Sequence, residues 1–164
     1  MGKSGPQVPL WKPTEYKPVD PPLIEACKAK RAADALKILD DSTTDVNITD
    51  EFGFTPLHWA CFHGDKFDAV ADKLIKAGAK VNVKSKNGTT ALIFACLLGR
   101  KETALKLVDK ASKSIDAIST GGLTALDYAE EKGLEQVAAE IRLKGGKKYI
   151  EIYKANGAAS QQKA

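Results

Sequence analysis

The chain has 164 residues, 43% of them hydrophobic and 28% charged, with a net charge of +4. That length suits one domain with a real core. The longest apolar runs, such as Ala91 to Leu98, are too short to span a bilayer. No charged stretch followed by an apolar run opens the chain, and Pro6 stands where a myristoylation motif needs Ser or Thr. The expectation is a protein of the cytoplasm, with the nucleus as the other compartment, and no membrane contact.

Charge is unevenly placed. Residues 141–164 carry +5, residues 21–140 carry −2, and the first twenty carry +1. The basic character belongs to the tail, so a broad basic face for nucleic acid is not indicated.

In chain order, residues 1–20 read as an extended arm. Six of the seven prolines lie in the first 22 residues, which forbids helix and favours polyproline-like chain. Val8, Leu10, Trp11 and Tyr16 are unusual in a solvated linker, and Trp11 is a candidate partner contact. The stretch Lys3 to Pro9 also matches a basic-x-x-P-x-x-P pattern, a weak and frequent signal.

The body runs from 21 to 146 and repeats itself. Thr55-Pro56-Leu57-His58-Trp59-Ala60 is followed 35 residues later by Thr90-Ala91-Leu92-Ile93-Phe94-Ala95, then 34 further on by Thr124-Ala125-Leu126-Asp127-Tyr128-Ala129. A degenerate first copy is Pro21-Pro22-Leu23-Ile24-Glu25-Ala26. Repetition at this period means stacked supersecondary units. Thr55 can cap a helix, Pro56 fits its first turn, and Leu57, Ala60 and Cys61 make one buried stripe. Gly64, Gly99 and Gly133 end the first helices. A second helix follows, with Phe67, Val70, Leu74 and Ile75 as the apolar face in repeat two. Val46-Asn47, Val81-Asn82 and Ile115-Asp116 each open a projecting finger.

On these residues the body resembles an ankyrin-repeat domain. The second repeat carries the match best, through Gly53, Thr55-Pro56-Leu57-His58, Ala60, Gly64, Leu74, Gly78-Ala79 and Asn82. The resemblance implies an all-α solenoid of four helix–turn–helix repeats, at about 21–49, 50–84, 85–118 and 119–146, with short β-hairpin fingers. It also implies that His58 is a capping and inter-repeat hydrogen-bonding residue. Departures are small. Repeat two has about two extra residues between Gly64 and Gly78, and the turns at Ser42 to Asp45 and Ala111 to Ser114 are one residue longer. Lys30 and Ala111 replace glycine, and the terminal repeats are atypical, as exposed ends should be. Beyond Gly146, residues 147–164 form a basic extension. Lys147 to Lys154 alternates weakly, as a strand or extended segment would, and the segment from Ala155 is expected to be disordered.

Cys27, Cys61 and Cys96 each follow the repeat's alanine and so share one column. Stacked helices lie roughly 8–10 Å apart and disulfides need Cα atoms within about 7 Å, so these read as small buried residues. His58, Cys61 and His63 are too few for structural zinc, and the two histidines point in different directions on a helix. No nucleophile-and-base pairing stands out, and Gly145-Gly146-Lys147-Lys148 lacks the spacing of a phosphate loop. No cofactor, metal or catalytic role is expected.

The candidate site is a column of aromatics. Trp59, Phe94 and Tyr128 occupy one repeat position, and Phe62 and Leu97 form a second column. The resemblance places these on a concave surface, where at least two of the five are expected to be well exposed and to anchor another protein. The finger tips Asp50, Glu51, Phe52 and Lys86, with Ser85, Ser119 and Thr120, would extend that surface and orient a partner by charge. The resemblance implies an adaptor, scaffold or inhibitor, and the domain by itself is expected to be monomeric. The competing expectation is a structural subunit of a large assembly, anchored by the arm and the basic tail.

Overall fold

Each repeat motif becomes the start of a helix. The computed structural model describes residues 20–161, with side chains as far as 156; Trp11 and the rest of the arm lie outside the described residues. Helix α1 spans Pro22–Lys28 and α2 spans Ala32–Ile38. Helices α3 (Pro56–His63) and α4 (Asp68–Lys76) form the next pair. They are followed by α5 (Ala91–Leu97) with α6 (Lys101–Val108), and α7 (Ala125–Glu131) with α8 (Glu135–Leu143). The threonines act as read from sequence. The side chains of Thr55, Thr90 and Thr124 accept hydrogen bonds from the amides of His58, Ile93 and Asp127, donors that have no partner inside the helix. In the first pair, Pro21 stands at the threonine's place and makes no side-chain cap.

The first helices stack on one another as α1–α3–α5–α7, and the second helices as α2–α4–α6–α8. Leu57, Leu74, Leu92, Ile93, Leu107, Leu126 and Ile141 are buried within the two layers. Cys27, Cys61 and Cys96 are buried and free, as their column implied. Burial pushes the Cys27 and Cys96 thiols up to about 12 and raises that of Cys61 as well, so thiolate chemistry is suppressed.

The two extra residues of repeat two are absorbed in a 3-10 turn, Asp65–Phe67, ahead of α4. The turn delivers the Phe67 ring into the core at 1% exposure. Its Asp65 forms an ion pair with Arg100 of the next repeat. Neighbouring second helices are further tied by a ladder of exposed pairs, Asp40 with Lys73, Asp72 with Lys106 at 2.6 Å, and Asp109 with Lys144 at 3.2 Å.

Two expectations need correction. The fingers are not β-hairpins: no strand occurs among the described residues. Each finger is a tight turn closed by two main-chain bonds: Asp50 N to Phe54 O (3.0 Å), Ser85 N to Thr89 O (2.9 Å) and Ser119 N to Leu123 O (3.0 Å), each joined by a turn bond from Gly53, Gly88 or Gly122 N back to the O of the same first residue. A side chain does the work of a further ladder rung. In the first of these fingers, the Asp50 carboxylate accepts from the amides of Phe52 and Phe54, both at 2.9 Å.

The segment read as a strand after Gly146 is helical instead, as α9, Tyr149–Gln161. With no sheet edge among the described residues to pair with, its main-chain groups are satisfied within the helix. Its start is pinned by Tyr149 N to the Asp127 carboxylate (2.8 Å) and Lys148 N to that of Glu151 (2.9 Å). No helix among the described residues is long and apolar enough to cross a membrane.

Candidate functional site

His58 sets the geometry from which the aromatic column projects. Its Nδ1 accepts from the Thr55 amide at 3.1 Å and lies 2.8 Å from the Thr55 hydroxyl. The proton therefore resides on Nε2, which donates to the Thr89 carbonyl of the next repeat at 3.1 Å. One imidazole thus caps its own helix and ties two repeats together, as the resemblance implied. Burial lowers its pKa to about 4, and the bond to Thr89 only partly opposes this.

One residue further on, Trp59 leaves the helix half-buried. Its indole Nε1 donates to the Asp50 carboxylate at 3.0 Å. Around it, Phe54, Phe62 and Phe94 close an apolar cup of about 230 Å³. Ring centroids stand 5.6 Å apart for Phe54 with Trp59 and with Phe94, 5.9 Å for Trp59 with Phe62, and 5.5 Å for Phe62 with Phe94. These are the tilted and edge-on arrangements aromatic rings prefer. His63 stacks on Trp59 from behind at 5.7 Å, and burial holds its pKa below the usual histidine range, with the Lys30 charge adding to the effect. Over the Trp59 ring, Lys28 Nζ sits 5.9 Å from the ring centre and 2.7 Å from the Asp20 carboxylate.

The structure treats the expected site residues unequally. Trp59, Phe62 and Phe94 converge on the cup. Phe62 is 44% exposed, while Trp59, Phe94, Leu97 and Tyr128 are half-buried, so one well-exposed side chain stands where two were expected. Leu97 and Tyr128 do not line the cup; the Tyr128 hydroxyl lies 3.3 Å from the Ser119 hydroxyl. Among the finger residues, Glu51, Phe52 and Lys86 are exposed, with Phe52 at 50%. Lys86 N donates to Phe52 O at 3.0 Å, which locks adjacent fingers together.

Asp50 is a correction: it is 7% exposed, because its carboxylate is consumed by two amides and the Trp59 indole. It holds the finger and the cup wall rather than offering charge to a partner. Ser85 is likewise buried at 6%, bonded by the Thr89 amide.

Sequence reading missed Phe54 and Lys28. Phe54 precedes the motif threonine and carried a usable signal, since a finger's last residue must turn back over the first helix. The place of Lys28 depends on how α1 stacks on α3, which no local pattern records.

The chain matches the family model for ankyrin repeats over residues 23–117 and 66–149. Scaffold protein ILK of Homo sapiens is 39% identical over 64 residues, which is 39% of this chain and 14% of that protein. Ankyrin repeat domain-containing protein SOWAHB of Xenopus laevis is 38% identical over 80 residues, covering 46% of this chain and 10% of that protein. Ankyrin repeat family A protein 2 of Mus musculus is 44% identical over 54 residues, 33% of this chain and 17% of that protein. The chain thus spans between 10% and 17% of the length of these relatives. The capped helix pairs, the His58 bridge between repeats and the extent of the family match place this chain in the ankyrin-repeat family.

Proposed function

We propose that this protein is a non-catalytic recognition module, an adaptor, scaffold or inhibitor that holds another protein on the groove formed by its first helices and fingers. The observation that carries this is the aromatic cup of Phe54, Trp59, Phe62 and Phe94. Its lining is wholly apolar, yet Phe62 stays 44% exposed and Phe52 beside it 50% exposed. Clustered aromatics left open to solvent are the usual anchors of protein interfaces. Charge of both signs comes from the exposed finger residues Glu51 and Lys86 and from Lys28 over the Trp59 ring, and would set orientation. Because the cup is built on stacked helices, a partner orders little of it on binding. The scaffold and ankyrin-repeat names of the relatives agree with this reading.

The test is capture of native partners by the wild-type chain and by Phe62→Ala, after circular dichroism shows equal helix content. A partner held by wild type and lost by Phe62→Ala supports the cup as the working surface. A partner retained at wild-type level by the variant moves recognition to the arm, the outer fingers or the basic tail.

A further inference from the structure

We propose that the aromatic cup is a cage for a trimethylammonium group, supplied by a trimethylated lysine side chain of the partner. This rests on the reading of the cup as the recognition surface and names the chemistry that enters it.

The four rings form a closed circuit. Centroids stand 5.6 Å apart from Trp59 to Phe54, 5.6 Å from Phe54 to Phe94, 5.5 Å from Phe94 to Phe62 and 5.9 Å from Phe62 back to Trp59. Successive rings meet at 74°, 50°, 65° and 90°, steep rather than stacked, as the walls of an open box require. The middle of such a circuit lies nearer to each ring centre than neighbouring rings lie to one another. A cation seated there is inside the ~6 Å over which an aromatic face attracts positive charge, from four sides at once. The lining is aromatic throughout, a choice that an aliphatic occupant would not need.

Charge favours a cation. Asp50 is 7% exposed, and among the described residues its carboxylate meets only neutral donors, the amides of Phe52 and Phe54 and the Trp59 indole. Its negative charge stands uncompensated against the Trp59 wall, and Glu51 beside it in the chain is exposed. Each wall also touches one of two histidines that lie outside the lining. His58 stands 5.6 Å from Phe54 and 6.3 Å from Phe94, and His63 stands 5.7 Å from Trp59 and 5.2 Å from Phe62. Burial keeps both neutral at pH 7, so they buttress the walls without placing positive charge behind them. Lys28 Nζ lies 5.9 Å from the Trp59 ring centre, and its pairing with Asp20 at 2.7 Å offsets the repulsion it would exert.

The same lining selects for methylation. An unmethylated lysine carries three N–H donors. The side chains of the cup hold one polar group, the Trp59 N–H, which is itself a donor and already bonded. Burying donors without acceptors is costly, and a trimethylammonium has none to satisfy. Phe52, 50% exposed and 6.5 Å from Phe54, is placed to pack on the methylene stem outside the cup.

The test uses the full chain, isotopically labelled, with Nα-acetyl-trimethyllysine amide as the probe. Its readout is the Trp59 indole N–H resonance, and Trp11→Phe assigns the two indoles. The resonance should shift saturably. Unmethylated lysine, and the neutral isostere with a tert-butyl group in place of the trimethylammonium, should each bind about ten-fold more weakly. Phe62→Leu keeps apolar bulk and removes one π face. It should weaken trimethyllysine about five-fold and leave the isostere nearly unchanged, with helix content unaltered.

Equal affinity for either control overturns the inference and makes the cup a hydrophobic socket. Absence of a saturable shift overturns it, as does a shift that Phe62→Leu leaves intact. Co-sedimentation with phosphatidylcholine vesicles that Phe62→Leu abolishes would assign the cup to a lipid headgroup and overturn the lysine assignment. Failure of the cage with Phe62-dependent partner capture intact leaves the recognition reading standing.

Discussion

Lys30 is the residue most visibly out of place. Its φ of 58° puts it in the left-handed region, where Gly99 and Gly133 end the equivalent helices at φ of 71° and 67°. A side chain there costs on the order of 1 kcal/mol through contact of Cβ with the following carbonyl. Lys30→Gly should therefore stabilise the protein by up to about 1 kcal/mol, less the greater freedom glycine has when unfolded. Urea titration checks this, and an unchanged or lower midpoint sinks it.

His58 gives a second expectation at the same scale. Its folded pKa of about 4 lies below the ordinary value of 6.5. The unfolded chain therefore binds the proton more readily, and acid favours unfolding. Stability is unaffected above pH 6.5 and falls as the pH drops toward 4. Between pH 7 and pH 5 the loss should be about 2 kcal/mol. His63, also lowered, adds to the slope in the same direction. His58→Gln should be less stable at pH 7 and should keep only the part of the slope that His63 supplies. A wild-type midpoint flat from pH 7 to 5 would refute the assignment.

At the scale of elements, what the sequence revealed depended on how local the determinant was. Helix starts were legible because Thr55, Thr90 and Thr124 bond amides three residues ahead, inside the motif itself. The 3-10 turn at Asp65–Phe67 was half legible: the two extra residues showed in the spacing and Phe67 read as an apolar position, but its place in a turn ahead of α4 did not. The fingers were over-read, since turn residues between extended pairs suggest a hairpin while the Asp50 carboxylate replaces the ladder. Helix α9 was misread because its weak alternation suits a strand, while the described residues offer no edge for a strand to join. The Asp–Lys ladder between second helices escaped altogether. Each of its pairs spans 33 to 35 residues, so it exists only in the assembled register. The same holds for the cup: Trp59, Phe62 and Phe94 could be named from their columns, but Lys28 over the Trp59 ring required the stack.

The whole molecule is a row of helix pairs in which each pair touches only its neighbours, so its stability is a sum of pair and interface contributions. The ion-pair ladder adds little to that sum, since exposed pairs are worth about 0–1 kcal/mol each. Apolar burial between layers dominates, and it is unequal along the row. Helix α5 packs on both α3 and α7, whereas among the first helices α1 packs only on α3. The α1–α2 pair also lacks a side-chain cap on either helix and contains the strained Lys30. It should be the first unit to open. Leu23 and Leu92 are both 1% exposed, so truncating either removes a comparable buried volume, a loss of roughly 2–5 kcal/mol. The consequences should differ in extent. Leu23→Ala should accelerate amide exchange in α1 and α2 while α5 to α8 keep wild-type protection, because the row can shed its end and retain every other interface. Leu92→Ala weakens two interfaces at once and should lower protection from α3 through α8. Uniform loss of protection across the chain in both variants would mean that the row opens as one unit, and the first pair would then be as firmly held as the centre despite its missing caps.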